Sequence, residues 1–310
     1  MKAPARSSAS SSRAPSRATA KKEEATALFA LLEEHEHEQV SLVYEPSSGY
    51  RGIIAIHDTT LGPALGGRYI TAEDVGTSVG DMEFIKAETD HVTGLIGKSG
   101  DPSPVTAFGV YRGIKACAKH RYGDDSLKSK TVAIQGCGHV GYYLADLLYK
   151  EGAQLIATDI DPAKLKAVVD DFRAKPVGSD EIYGVEANIF APCALGGIIN
   201  DETMPQLKVD IIAGGANNQL AEERHGDMLE EKGLTYAPDY VINAGGLVNV
   251  NAELEGWTLD RARNKAGEIY ETLLMLFEIA TDEGMPSYRA ADRLAERRIA
   301  AIAKVRQNFV

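Results

Sequence analysis

The segment TVAIQGCGHVG, residues 131–141, joins a short apolar run to three glycines spaced Gly136-x-Gly138-x-x-Gly141. The apolar run predicts a buried strand, and the residues from 139 to 151 predict a helix. In such a strand–turn–helix unit, the first glycine makes the tight turn and the second lets a pyrophosphate approach the backbone. The third lets the helix pack closely on the strand. Free N–H groups at the helix start favour phosphate, so the segment predicts a dinucleotide site.

An acidic residue follows the glycines at the expected distance. Asp159 ends the next apolar run, 23 residues after Gly136. In dinucleotide-binding folds, this acid accepts hydrogen bonds from ribose hydroxyls and repels a 2′-phosphate, so the sequence predicts NAD rather than NADP. We assign His139 and Val140 to the same turn, and interpret Cys137 as a small filler because no neighbouring base would activate it. The alternative is a tight turn that binds no ligand.

Apolar runs of four to six residues alternate with helical patterns along the rest of the chain. Further strands are predicted at 154–159, 187–192, 209–214, 234–239 and 240–246, and helices at 106–122, 139–151, 162–174, 258–283 and 288–307. This alternation is typical of a parallel sheet with helices on both faces. We therefore predict an α/β fold with two domains: a reduced N-terminal α/β substrate domain and a doubly wound Rossmann domain with C-terminal helices.

The predicted domains follow changes in sequence character. We expect a disordered basic tail at 1–22, a shortened substrate and oligomerisation domain at 23–105, a Rossmann NAD-binding domain at 106–250, and C-terminal helices at 251–310 that complete the cleft. Within the substrate domain, helices are predicted at 23–38 and 77–88, a strand hairpin at 40–44 and 52–57, and a strand at 69–71. The tail carries +6 and the rest of the chain −18; a transit peptide is the alternative interpretation.

Composition excludes several classes of protein. The 310 residues are 44% hydrophobic and 25% charged, typical of a globular protein of about two domains. A net charge of −12 argues against nucleic-acid binding, and no apolar run approaches the roughly 20 residues that span a bilayer. Three cysteines without a CxxC pair argue against a disulfide framework and a structural metal site. We expect a cytoplasmic protein without metal, nucleic acid or membrane partners.

Beyond the glycine turn, several ordered segments make the chain resemble the glutamate/leucine/phenylalanine/valine dehydrogenase family, and the leucine-specific branch most of all. The matching segments are IIAIHDTTLGPALGG (53–67), RYITAEDVGT (68–77), DPSPVTAFGVYRG (101–113), YGVEANIFAPCALGGIIN (183–200), GGANNQL (214–220), RHGD (224–227), YAPDYVINAGGLVNV (236–250) and AADRLAERRI (290–299). The resemblance implies NAD-dependent oxidative deamination of an L-amino acid to a 2-oxo acid and ammonia, in a cleft between the two domains. It also implies a homo-oligomer.

The same resemblance assigns roles to individual residues. Asp74 matches the catalytic acid that handles protons at the amino group. By itself Asp74 is better explained as a helix N-cap, and the surrounding match to the family reverses that interpretation. Residues assigned to the substrate are Leu65, Gly66, Gly67, Ala72, Thr93, Leu247 and Val250. Residues assigned to the cofactor, besides those of the glycine turn and Asp159, are Thr106, Cys193, Ala194, Asn218 and Asn243. The side-chain pocket is wholly apolar, which favours leucine, isoleucine or valine over glutamate, whose carboxylate would need a buried cation.

One departure from the family lies at Gly67–Arg68. Family members have several dozen residues between LGPALGG and RYITAEDVG, including a substrate-binding lysine and a catalytic lysine, and here the two motifs abut. Three hypotheses follow: an active enzyme in which another lysine, such as Lys86 or Lys98, substitutes; a catalytically impaired NAD-binding subunit; or an incomplete chain from a deletion or a faulty gene model. Nucleotide sequence across codons 67–68 would distinguish the last.

Overall fold

A computed structural model of the chain describes residues 39–45, 50–56, 71–72 and 77–307. The predicted tail at 1–22, the helix at 23–38 and most of the strand at 69–71 lie outside the described residues. Contacts divide the chain into two units, Met1–Tyr69 and Ile70–Val310. The domain limits at 105 and 250 stay a prediction.

The first unit contains a two-stranded antiparallel sheet. Strand β1 spans Gln39–Glu45 and strand β2 spans Tyr50–Ile56. The register pairs Gln39 with Ile56 and Glu45 with Tyr50. The hairpin predicted from the two short apolar runs is therefore confirmed, with slightly different ends.

The second unit is built on a six-stranded parallel sheet. Its strands are β3 (Thr131–Gln135), β4 (Gln154–Thr158), β5 (Lys175–Pro176), β6 (Ile189–Pro192), β7 (Ile211–Ile212) and β8 (Thr235–Tyr236). Their order is β5-β4-β3-β6-β7-β8, so the winding reverses between β3 and β6. A crevice opens at the carboxyl ends of the strands at such a reversal, and ligands of doubly wound folds bind there. The predicted fold class is confirmed.

Helices connect and cover these strands. They are α1 (Val79–Glu88), α2 (Ser103–Tyr122), α3 (His139–Glu151), α4 (Pro162–Phe172), α5 (Glu223–Glu231), α6 (Asp239–Ile242), α7 (Gly245–Leu254), α8 (Leu259–Gly267), α9 (Ile269–Glu283) and α10 (Ser287–Gln307). Two 3₁₀ turns lie at Glu181–Gly184 and Met204–Gln206. In the described ranges, no helix combines the length and apolar character that a bilayer crossing requires.

The sheet is buried on both faces. On β3, Val132 and Ile134 pack in one apolar cluster with α2, α3 and α9, whereas Ala133 packs in a second cluster with Phe190 and Ile212. Side chains alternate between the faces of a strand, so membership of two clusters places helices or loops on each side. This explains why the strands read as continuous apolar runs.

Two predicted elements were wrong. Residues 240–246 form no strand: α6 begins after Pro238, whose carbonyl accepts the N–H groups of Val241 and Ile242, and α7 begins at Gly245. Proline fixes φ near the helical value, so this apolar run starts a helix rather than extending β8. The single helix predicted at 258–283 is two helices, because α8 ends at Gly267, a residue that destabilises a helix interior.

Candidate functional site

The glycine turn lies at the carboxyl end of β3, at the reversal point of the sheet. Gly136 has φ +97°, and a Cβ there would lie 2.8 Å from backbone atoms of Cys193 and Ala194. A Cβ on Gly141 would lie 2.0 Å from the carbonyl oxygen of Gly136. Both contacts are too close for any side chain, so two of the three glycines are required by the protein's own backbone.

Gly138 has a different environment. It is the N-cap of α3, and a Cβ built on it would meet nothing within 4 Å. The protein itself therefore leaves the space beside Gly138 open, next to the free N–H groups of the helix start. An open approach to a helix N-terminus suits a pyrophosphate, so the residues present fit a dinucleotide.

Asp159 follows β4 and faces the same turn. One carboxylate oxygen accepts the N–H of Cys137 at 2.6 Å, and the other accepts the N–H of Asp161 at 2.7 Å. The carboxylate thus holds the glycine turn to the end of β4. Each oxygen keeps a further lone pair, which leaves acceptor capacity for ribose hydroxyls.

The segment after β6 completes this side of the crevice. The N–H of Cys193 donates to the carbonyl of Gln135 at 2.6 Å, which places Cys193 and Ala194 against Gly136. Burial raises the pKa of the Cys193 thiol to about 11. Burial, and to a smaller extent the charge of Asp159, raises the pKa of the Cys137 thiol to about 12. We therefore expect both thiols to be almost fully protonated near neutral pH.

We expect slow alkylation of these cysteines. At pH 8, a thiol with a pKa of about 11 is only ~0.1% thiolate, against roughly a quarter for an ordinary cysteine. Iodoacetamide should therefore label these cysteines at least ~100-fold more slowly in the native protein than in the urea-unfolded chain. Peptide mass spectrometry at successive times measures the labelling rate of each cysteine. Rapid labelling of Cys137 in the folded protein would contradict its interpretation as a small filler.

The loop after β7 brings three predicted residues to the crevice. The side-chain amide of Asn243 donates to the carbonyl of Gly215 at 3.4 Å, and a Cβ on Gly215 would lie 2.9 Å from Val140. Asn218 has φ +51°, and its N–H donates to Asp239 at 2.6 Å. These contacts place Val140, Asn218 and Asn243 along one edge of the sheet.

The start of α2 packs against the start of α7. Thr106 donates its hydroxyl to the carbonyl of Pro102 at 3.0 Å, and a Cβ on Gly246 would lie 2.9 Å from that hydroxyl. His139, the first residue of α3, has its Nδ1 atom 3.5 Å from Asp101. The glycines at the start of α7 therefore let α2 and α7 meet, with Thr106 at the contact.

Two substrate residues assigned by resemblance lie together. Thr71 forms a parallel bridge with Val92, and the N–H of Thr93 donates to the carbonyl of Thr71 at 2.8 Å, so Ala72 and Thr93 are neighbours. The Thr93 hydroxyl is buried and has no hydrogen-bond partner among the described residues. A buried hydroxyl without a partner is costly, which suits a group that contacts a ligand.

The remaining substrate assignments divide between α7 and the undescribed segments. Leu247 is exposed and Val250 is partly buried, three residues apart on the same face of α7. The predicted catalytic acid and three further substrate residues lie outside the described residues, namely Asp74, Leu65, Gly66 and Gly67. All of these site assignments stay predictions.

Sequence analysis did not identify two exposed apolar side chains near the glycine turn. Ile160 follows Asp159 and is 92% exposed, and Leu195 follows Ala194 and is 71% exposed. They flank the glycine turn on its two sides, and exposed apolar side chains beside a cleft mark a contact surface. The signal that could have identified Ile160 is its position directly after Asp159, the acidic residue that follows the strand.

The two lysines considered as substitutes lie on different elements. Lys86, in α1, forms an ion pair with Asp90. Lys98 is exposed in the turn after Leu95. Nothing in the described contacts joins either ammonium to the residues assigned to the substrate.

Sequence comparisons identify close relatives of the chain. It is 46% identical to leucine dehydrogenase of Geobacillus stearothermophilus over 352 aligned positions, which cover 91% of this chain and 96% of that protein. It is 39% identical to L-tryptophan dehydrogenase of Nostoc punctiforme over 338 positions, covering 88% and 96%. Because 91% of 310 residues is about 282, about 70 of the 352 positions have no counterpart in this chain. This total is comparable to the several dozen residues that we expect to be missing at Gly67–Arg68.

Structural comparisons give the same result. The crystal structure of L-tryptophan dehydrogenase from Nostoc punctiforme matches 89% of this chain and 99% of that one, with 37% identity and a TM-score of 0.77. Hetero-hexameric glutamate dehydrogenase from Thermus thermophilus shares the fold, with 16% identity and a TM-score of 0.66. The Glutamate/Leucine/Phenylalanine/Valine dehydrogenase model matches residues 97–162 and 161–306. The chain therefore belongs to the glutamate/leucine/phenylalanine/valine dehydrogenase family.

Proposed function

We propose that this protein is an NAD-dependent amino-acid dehydrogenase that converts an apolar branched-chain L-amino acid to its 2-oxo acid and ammonia. The observation that supports this most directly is the 46% identity to a leucine dehydrogenase across 91% of the chain. The open glycine turn at the reversal point of the sheet supports the dinucleotide part of the proposal.

NAD, when bound, would supply the acceptor for the hydride of the α-carbon, and the residues of this chain would bind and orient it. The helix start beside Gly138 binds the pyrophosphate, and Asp159 accepts hydrogen bonds from the ribose. Thr106, Asn218 and Asn243 orient the reacting end of the cofactor, as their match to the family implies. Asp74 holds or releases the amino-group proton, as its match to the family acid implies.

The substrate is proposed from the pocket. Ala72, Leu247 and Val250 are apolar, as is Leu65, and such a pocket accepts aliphatic side chains while it rejects a carboxylate. Leucine and isoleucine are isomers, and valine is one methylene smaller. One methylene changes binding in an apolar pocket by only about 1–3 kcal/mol, so we propose all three as substrates.

The test is NADH formation at 340 nm by the purified 310-residue protein with a panel of L-amino acids. We expect oxidation of leucine, isoleucine and valine, and none of glutamate. Geobacillus leucine dehydrogenase serves as the positive control. A folded chain that binds NADH but oxidises no member of the panel would contradict the proposal and favour the catalytically impaired subunit.

Replacement of Asp159 tests the cofactor site. We expect Asp159→Ala to weaken NADH binding about 10-fold and to reduce the preference for NADH over NADPH, because the carboxylate bonds the ribose and repels the 2′-phosphate. Asp159→Asn removes the negative charge but keeps a side-chain oxygen that can accept the N–H of Cys137. This variant therefore tests the effect of the charge without the loss of the turn contact. Fluorescence titration measures the affinities of each variant for NADH and NADPH. Unchanged NADH affinity in the two variants would refute the ribose contact.

The homo-oligomer and the cytoplasmic location belong to the same proposal. Phe84 and Ile96 are 79% and 70% exposed, and apolar residues of this size are commonly covered in an assembly. The three cysteines are free thiols, which suits a reducing compartment. Light scattering coupled to size-exclusion chromatography would give the oligomer mass.

A further inference from the structure

A single carboxylate joins the loop after Thr93 to helix α7. One oxygen of Glu253 accepts the N–H of Gly94 at 2.9 Å and the N–H of Ser99 at 3.3 Å. The Ser99 hydroxyl donates to the same oxygen. Glu253 is half-buried, and it lies 159 positions from Gly94 in the sequence.

The two segments that Glu253 joins carry the described residues assigned to the substrate. Thr93 directly precedes Gly94, and the Thr71–Val92 bridge places Ala72 beside it. On α7, Val250 lies three residues before Glu253, on the same helix face. The carboxylate therefore links the Ala72 side of the proposed pocket to the Val250 side.

The loop depends on such a contact because its backbone is irregular. Gly94, Gly97 and Gly100 all have φ between +59° and +82°, in the left-handed region. Glycine loses more conformational freedom than other residues when it is ordered. Hydrogen bonds to an ionised carboxylate are about twice as strong as neutral ones, so three of them on one oxygen order this loop.

We propose that Glu253 is a positioning residue that sets the width of the apolar substrate pocket by fixing the Thr93 loop to α7. The inference rests on the proposed function, since the pocket is that of an apolar amino acid. Glu253 acts through Thr93 and Val250 and contacts no reacting atom. The chain thus uses a carboxylate from one segment to hold the substrate contacts of another.

The test compares Glu253→Ala with Glu253→Gln and Glu255→Ala. We expect Glu253→Ala to raise KM for L-leucine about 10- to 100-fold, because small misplacements of substrate contacts have effects of this size. KM for NAD should stay within about twofold, since the glycine turn is untouched. Glu253→Gln keeps an acceptor oxygen and should recover most of the leucine KM. Glu255→Ala removes the same charge from an exposed position two residues away and should match the unaltered protein.

Hydrogen exchange gives a readout that needs no activity. In Glu253→Ala, the amides of Gly94 and Ser99 should exchange at least about 10-fold faster, and those of β3 should not change. Unchanged exchange at these amides overturns the proposal whatever happens to leucine oxidation. So does an unchanged leucine KM in an active enzyme. Absence of leucine oxidation in the unaltered protein overturns the proposed function instead, and the exchange data then decide the role of Glu253.

Discussion

Replacing Gly141 by alanine should destabilise the fold, whereas replacing Gly138 should weaken only cofactor binding. A Cβ on Gly141 would lie 2.0 Å from the carbonyl oxygen of Gly136, so α3 would have to move away from β3. Overpacking of this kind costs about 3 kcal/mol of folding free energy, which would lower the melting temperature by roughly 6–12 °C in a unit of this size.

Gly138→Ala is the matched variant. Its Cβ meets no atom within 4 Å, so the melting temperature should stay within about 1 °C of the unaltered protein. The methyl group would nevertheless occupy the approach of the pyrophosphate, and we expect NADH to bind at least about 10-fold more weakly. Differential scanning calorimetry and NADH titration test both variants. Equal melting temperatures for the two would contradict the packing role of Gly141.

Restoring the block missing at Gly67–Arg68 should raise the rate of leucine oxidation by about 10²–10⁴-fold. An acid–base residue contributes a factor of this size, and the resemblance to the family implies a catalytic lysine in that block. About 70 aligned positions of the Geobacillus enzyme have no counterpart here, so its block is the natural donor. The measurement is the initial rate at 340 nm, before and after insertion.

A second insertion provides the control. The same block with both lysines replaced by methionine restores the chain length and the packing but not the ammonium groups. We expect NADH affinity to be equal in both insertions and the rate to rise only with the lysines. If neither insertion accelerates a folded chain that binds NADH, the block does not hold the missing catalytic groups.

The sequence was most informative where structure is local. Strand β3, its turn and helix α3 were predicted with their observed bounds, because the apolar run, the glycine spacing and the helical period lie within 21 residues. The strand predicted at 240–246 was wrong because apolar and small residues suit a strand or a buried helix equally. Pro238, which starts α6, and the packing of Gly245 against Val105 and Thr106 at the start of α7 both favour helices.

Long-range contacts could not be predicted in the same way. Glu253 has no motif, and its partners at Gly94 and Ser99 are more than 150 positions away. Ile160 and Leu195 become a pair of flanking residues only when β4 and β6 lie on either side of β3. Period and spacing along a chain report which face of an element is apolar, but not which distant element covers it.

The proposed second role of Asp159 in ribose binding has a practical consequence for altering coenzyme preference. Engineering a dehydrogenase toward NADP usually begins by removing the acid that faces the ribose. In this protein the carboxylate proposed for that role also accepts the N–H of Cys137, so its removal would loosen the turn that we propose for phosphate binding. A successful redesign would pair the new 2′-phosphate contact with a neutral acceptor at position 159, such as asparagine or serine, so that recognition and scaffold are changed separately.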